Sequence, residues 1–149
     1  MFRGINALNL AEKGRLAMPT RYRDLLTHEA HGHLIVTIET EERCLLLYPL
    51  AVWEEIEKKI AALPSFNAEA RRIQRLLIGH ATEVEMDGNG RILLPPVLRE
   101  YASIEKRLML LGQGSKFELW DEKAWSLRRD TWLEKPAGEL PPDLQSLSL

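Results

Sequence analysis

The chain has 149 residues, of which 45% are hydrophobic and 28% charged, a globular balance far from the low-hydrophobicity profile of disorder. A single cysteine, Cys44, excludes an intramolecular disulfide and a cysteine-built zinc site, and no apolar run approaches the ~20 residues of a spanning helix. The net charge of −2 argues against whole-molecule attraction to nucleic acid, yet between Met1 and Arg23 the cations Arg3, Lys13, Arg15, Arg21 and Arg23 oppose only Glu12.

Taken in chain order, the predicted elements occur twice. Gly14-Arg15-Leu16-Ala17-Met18-Pro19 aligns with Gly90-Arg91-Ile92-Leu93-Leu94-Pro95, 76 residues on, and Arg23 aligns with Arg99. Each copy begins with a Gly turn that enters a short apolar strand, Leu16 to Met18 or Ile92 to Leu94. A Pro-started short helix follows, over 19–26 or 96–102, because the missing N–H of Pro costs nothing in a first helical turn. Two β-rich runs come next, His33 to Ile38 and Cys44 to Tyr48 in the first copy, Leu108 to Leu111 and Lys116 to Trp120 in the second. Glu39 to Arg43 and Gly112 to Ser115 read as hairpin tips. Leu45-Leu46-Leu47-Tyr48 and Phe117-Glu118-Leu119-Trp120 align 72 residues apart, so the second copy has a loop shorter by four.

A helix follows each unit. Trp53, Ile56, Ile60 and Leu63 recur at helical spacing, and Asp121 is placed to cap a helix carrying Trp125 and Trp132. A further helix, 67–79, starts at a cap-capable Asn and ends at Gly. The tail after Lys135, with Pro136, Gly138, Pro141 and Pro142, lacks periodicity and reads as mobile.

Enzymatic constellations are not visible. His28, His31 and His33 fall at a helix end and a strand start and read as a solvated turn rather than a metal site. Cys44 opens an apolar strand and suits a small buried hydrophobe. Gly88-Asn89-Gly90 matches neither the dinucleotide nor the Walker pattern and reads as a turn with positive φ. The basic turns differ from an ordinary charged surface because they are duplicated. Lys13 and Arg15 on a projecting turn, with Arg21 and Arg23 one helical turn away and Arg3 nearby, are suited to phosphates and base edges.

The motifs Met1-Phe2-Arg3-Gly4, Lys13-Gly14-Arg15-Leu16, Pro19-Thr20-Arg21-Tyr22-Arg23, Leu45-Leu46-Leu47-Tyr48-Pro49, Arg75-Leu76-Leu77-Ile78-Gly79-His80-Ala81, Met86-Asp87-Gly88-Asn89-Gly90-Arg91 and Lys116-Phe117-Glu118-Leu119-Trp120-Asp121 together resemble the MraZ family of bacterial transcriptional regulators, in register over almost the whole chain. The resemblance implies an α+β fold: two tandem swapped-hairpin units of the AbrB and SpoVT type, forming one intramolecular pseudo-dimeric barrel flanked by helices. The expected divisions are 5–52 and 81–124 for the units, 53–80 for connecting helices and 125–149 for a C-terminal helix and tail.

It also implies a non-enzymatic repressor, without a cofactor or metal, that binds double-stranded DNA repeats upstream of its own operon, the division and cell-wall cluster. The expected assembly is a ring-shaped homo-oligomer, and the expected location the cytoplasm and nucleoid, not a membrane. Arg15 and Lys13 would border a groove, Arg3, Arg21 and Arg23 would hold phosphates, and Arg91 would contribute from the second unit. Gly14, Gly90 and Asp87 would structure the turns. The family's Asp-x-x-x-Arg loop signature maps onto Asp87 and Arg91, where the carboxylate is placed to hold the guanidinium in a bidentate bond. Ala11 stands at the matching place in the first turn. Unequal work is therefore expected, with Arg15 the chief contact and Arg91 its weaker counterpart or part of a salt bridge. The alternative reading is an antitoxin-like or structural protein-interaction module, motivated by the Leu-rich tail.

Overall fold

The fold comes from a computed structural model, which describes residues 1–135, 138 and 140–147. The expectation for the tail after Lys135 lies in part outside these residues. In chain order the elements are β1 (Phe2–Asn9), β2 (Arg15–Ala17), α1 (Thr20–Ala30), β3 (His33–Ile38), β4 (Leu45–Pro49), α2 (Leu50–Ala61), α3 (Ala68–Ile73, continuing through a wide π turn, Gln74–Ile78), β5 (Thr82–Glu85), β6 (Arg91–Leu93), α4 (Pro96–Tyr101), β7 (Arg107–Gly114), β8 (Phe117–Asp121), α5 (Glu122–Glu134) and α6 (Pro142–Gln145). The fold is mixed α+β, and β1-β2-α1-β3-β4-α2 recurs as β5-β6-α4-β7-β8-α5.

Helix boundaries follow local chemistry. Asn67 Oδ1 accepts from the N–H groups of Glu69 (2.9 Å) and Ala70 (3.3 Å), and Asp121 Oδ2 accepts from Ala124 N–H at 3.1 Å, so both predicted caps satisfy otherwise orphaned donors. Leu63, expected on the second helix, lies beyond its end. The second hairpin tip is tighter than expected: Gln113 N–H reaches Lys116 O at 2.9 Å, with Gly114 at φ 82°. A primed turn of this kind suits the strand twist and needs positive φ.

Six strands form one antiparallel sheet in the order β1-β7-β8-β4-β3-β5, and β2 pairs with β6 in a separate two-stranded ribbon. The first strand of each copy therefore joins the hairpin of the other: β1 lies on β7, and β5 on β3. The closed barrel expected from the sequence is not seen. The six-stranded ladder has edges at β1 and β5, and the ribbon strands, three residues each, do not join it. Pro19 and Pro95, just past those strands, have no N–H to extend pairing.

The registers define a pseudo-twofold axis. Leu16 faces Ile92 in the ribbon and Leu46 faces Glu118 between β4 and β8; each pair occupies equivalent places in the two copies, and equivalents meet only on a twofold. The registers also locate the shortening of the second copy. Asn9 faces Arg107 and Glu85 faces His33, which equates β3 with β7 at an offset of 74, between 76 at the turns and 72 at β4 and β8. The four residues are thus lost in two steps of two, not from one loop. Each even step preserves which side chains face the core.

The main core lies on one sheet face, where Leu34, Val36, Ile38, Leu45, Leu47, Leu108, Leu110 and Leu119 meet Leu16, Met18, Ile92 and Leu94 of the ribbon and Leu26 and Leu98 of α1 and α4. Phe2 stacks on Phe117 at 4.3 Å and Tyr22 meets that ring edge-on at 4.9 Å. On the other face α2 lays Trp53 against Ile35, Leu46 and Tyr48, and α5 lays Trp125 against Leu111 and Trp120. Because the middle strands are covered twice, Leu45 to Tyr48 reads as an unbroken apolar run. Each fully buried leucine among them contributes roughly 1.5–3 kcal/mol. Among the described residues no helix is long and apolar enough to cross a membrane.

Candidate nucleic-acid interface

The ribbon presents two faces. Leu16 and Ile92 point inward, each 1% exposed, while Arg15, Ala17, Arg91 and Leu93 point to solvent, as the two-residue alternation of a strand requires. Arg15 faces Leu93 and Ala17 faces Arg91, so the two arginines are diagonal partners on one surface, roughly 7–8 Å apart at their Cα atoms. Lys13 stands exposed at the tip of the first turn, where the second has Asn89. Neither these two arginines nor Lys13 forms an ion pair among the described residues.

Both turns are built the same way. Ala11 N–H donates to Arg15 O at 2.8 Å and Asp87 N–H to Arg91 O at 2.9 Å, while Met18 N–H reaches Gly90 O and Leu94 N–H reaches Gly14 O, at 2.8 and 2.9 Å. Gly14 and Gly90 have φ of 87° and 73°, a region costly for residues with a Cβ. Space reinforces that demand. A Cβ on Gly14 would stand 2.8 Å from Arg99 Nε, and one on Gly90 would overlap the Arg23 guanidinium.

Arg23, expected among the phosphate contacts, also braces a turn. It is half-buried, donates Nε–H to Met18 O at 2.6 Å and lies under the opposite turn at Gly90. Arg99 mirrors it, donating to Leu94 O at 3.1 Å and lying under Gly14. The sequence reading aligned Arg99 with Arg23 and gave it no role; the repeat was the signal that could have found one.

Asp87 also differs from expectation. Its Oδ1 accepts from the backbone N–H groups of Asn89 (2.8 Å) and Arg91 (3.0 Å), and no ion pair joins it to the Arg91 guanidinium. The bidentate bond expected between the two side chains is absent because an Asx-type turn uses the carboxylate locally. The Arg91 N–H holds this carboxyl below the usual carboxylate range, helped by the Asn89 N–H and the charges of Arg91 and Arg15. Asp87 thus shapes the second turn and leaves Arg91 free. The first turn closes on backbone bonds without that acceptor.

The remaining predicted cations form a second group. Arg3 and Arg21 are both exposed; Arg21 Nη2 donates to Asn6 Oδ1 at 2.6 Å, and its guanidinium carbon stands 4.7 Å from the Tyr22 ring centre. The Tyr22 hydroxyl donates to Arg3 O. Arg3 is the second residue of β1 and the turn follows the strand's end, about 20 Å along an extended strand, so Arg3 is not beside Lys13. Elsewhere His33 Nδ1 stands 3.6 Å from Glu83 Oε1, diagonally across β3 and β5, and among the described residues no three metal-ligating side chains converge. Cys44 is fully buried, and burial pushes its thiol far above the ordinary range, which leaves no reactive thiolate.

A family model described as "MraZ protein, putative antitoxin-like" matches residues 1–76 and again 77–135. The chain belongs to the MraZ family. The two matches meet between α3 and β5, in agreement with the structural repeat. Proteins named Transcriptional regulator MraZ are similar over their full length and that of this chain: that of Coxiella burnetii is 59% identical, and those of Halorhodospira halophila and Legionella pneumophila are each 57% identical, over 152 aligned positions.

Proposed function

We propose that the protein is a non-enzymatic transcriptional regulator that reads double-stranded DNA with the β2–β6 ribbon. The observation that carries this reading is the pair of unpaired arginines, Arg15 and Arg91, on the solvent face of a two-stranded ribbon that straddles the pseudo-twofold axis. A two-stranded ribbon fits the major groove, and an arginine fork there suits guanine. Arg15 and Lys13 read or border the groove, Arg91 works from the second turn, and Arg3 and Arg21 hold phosphates further along. Arg23 acts through the turn it braces. Relatives named as transcriptional regulators support this reading.

The proposal extends to the features implied by resemblance: swapped-hairpin units paired within one chain, repression through repeats upstream of its own operon in the division and cell-wall cluster, and action in the cytoplasm at the nucleoid. It includes a ring-shaped homo-oligomer. One protomer makes few contacts, and several protomers on consecutive repeats gain by effective concentration.

Arg15→Ala tests it. In a mobility-shift assay on DNA upstream of the gene, the variant is expected to lose roughly 10- to 100-fold in affinity per site, as removal of one bidentate base contact does, with its assembly state unchanged. Wild-type affinity should fall steeply with salt. Unchanged affinity in the variant refutes the assignment. It would favour a protein-interaction module, a reading supported by Leu140, Leu144 and Leu147, exposed around the short helix α6.

A further inference from the structure

Phe66 is 86% exposed, and among the described residues no other aromatic ring stands so far into water. Its segment is nevertheless held in place. Asn67 N–H donates to Pro64 O at 3.1 Å, Arg71 Nη1 to Ser65 O at 2.8 Å, and Gln74 Nε2 to Ile60 O and Leu63 O at 3.1 and 3.3 Å. An aromatic ring fixed in advance loses little freedom on docking, which makes it a preorganised anchor.

A matching hollow lies after α3. Val84, Leu93, Pro95 and Pro96 line a space of about 410 Å³ whose rim carries Glu83 and Glu85. Leu93 leaves 47% of its surface in water. The first copy lacks the residues that line it: Ala17 takes the place of Leu93, and Ala7 and Asn9 take the places of the two glutamates. Charge is complementary: the helix behind Phe66 carries Arg71, Arg72 and Arg75 against the single acid Glu69, which stands 3.6 Å from Arg72, and the hollow carries two acids. The 11 residues of α3 and its wide turn, roughly 16 Å of helix, separate Phe66 from β5, and its exposure shows that it does not fill the hollow of its own chain.

We propose that Phe66 of one copy seats in the Val84–Leu93–Pro95–Pro96 hollow of the next, with Arg72 and Arg75 facing Glu83 and Glu85. One knob and one hollow per chain make a head-to-tail contact, which generates a ring when its rotation closes. This rests on the self-association proposed above; Leu93 faces Arg15 across the ribbon, so the hollow borders the DNA-reading surface, whereas Phe66 lies on a separate segment and its substitution tests the contact apart from Arg15.

Sedimentation velocity across a concentration series tests it. Phe66→Asp is expected to weaken assembly about thirtyfold or more, as loss of a hot-spot aromatic does, while its circular dichroism spectrum stays that of wild type because the ring is 86% exposed within its own chain. Leu93→Asp should do the same from the other side. Mixed, the two variants retain one intact knob and one intact hollow between them and should form a 1:1 dimer. Assembly of Phe66→Asp at wild-type strength, or failure of the mixture to pair, overturns the interface and points to another contact. A wild-type protein that stays monomeric overturns the self-association reading itself.

Discussion

At the residue scale, the turn chemistry separates groups that touch a ligand from groups that position them. Asp87 accepts two backbone N–H groups, so Asp87→Ala is expected to lower the melting temperature, whereas Asp87→Asn keeps an acceptor and stays near wild type. The pH dependence follows from the depressed carboxyl. Its stabilisation is fully present above the unfolded-state value of ~3.9 and disappears as pH falls through the folded-state value below it. The gap between wild type and Asp87→Ala should therefore be constant near neutrality and close in acid; thermal melts across pH check this, and a gap that persists in acid refutes the role. The glycines and arginines of both turns were legible because a six-residue pattern recurring with its later Arg at the same spacing is improbable by chance. The roles of Arg23 and Arg99 were not. Whether an arginine reaches solvent or a carbonyl depends on what folds over it, and here that is the other copy's turn.

At the element scale, the buried Thr37 joins the sheet to α3. Its Oγ1 donates to Leu77 O at 2.6 Å, at the wide turn where ordinary helical bonding is interrupted. Thr37→Val keeps the shape and removes the donor. The cost should be about 1–3 kcal/mol, seen in denaturant melts and as faster hydrogen exchange over 74–78; unaltered stability and exchange would refute it. Helices and middle strands were legible from caps, Pro positions and apolar runs. β1 and β5 were not recognised as strands. They are the sheet edges, where Arg3, Gly4, Ile5, Glu83 and Glu85 all lie exposed, and a strand open to water has no sharp alternation to read. Phe66 was missed as well, since a lone aromatic between two helices has no period.

At the scale of the whole molecule, the exchange of β1 and β5 makes each hairpin depend on the other half of the chain. Further ties cross the same boundary: the Tyr101 hydroxyl donates to Glu39 O at 2.6 Å, and Arg128 grips Glu42 at 2.6–3.0 Å. Unfolding should therefore be a single transition, with fluorescence from Trp53 in one half and Trp120 and Trp125 in the other coinciding with circular dichroism. A fragment ending at Gly79 should not fold as a monomer and should regain structure when mixed with the complementary fragment. Two separate transitions, or a folded monomeric half, would contradict the exchange.

The local pattern alone determined that the chain holds one unit twice, that each unit runs turn, strand, helix, hairpin and helix, and that the duplicated arginine turns are its chemical feature, because these depend on neighbours within a few residues. The tertiary structure decided which hairpin each first strand joins, that the sheet keeps two edges, and which arginines face water. Those outcomes depend on pairing between residues some 100 positions apart, such as Asn9 with Arg107, and two copies of one unit each offer a hairpin that either first strand could join. The ribbon at the pseudo-twofold axis resolves it by setting each first strand beside the other copy's hairpin.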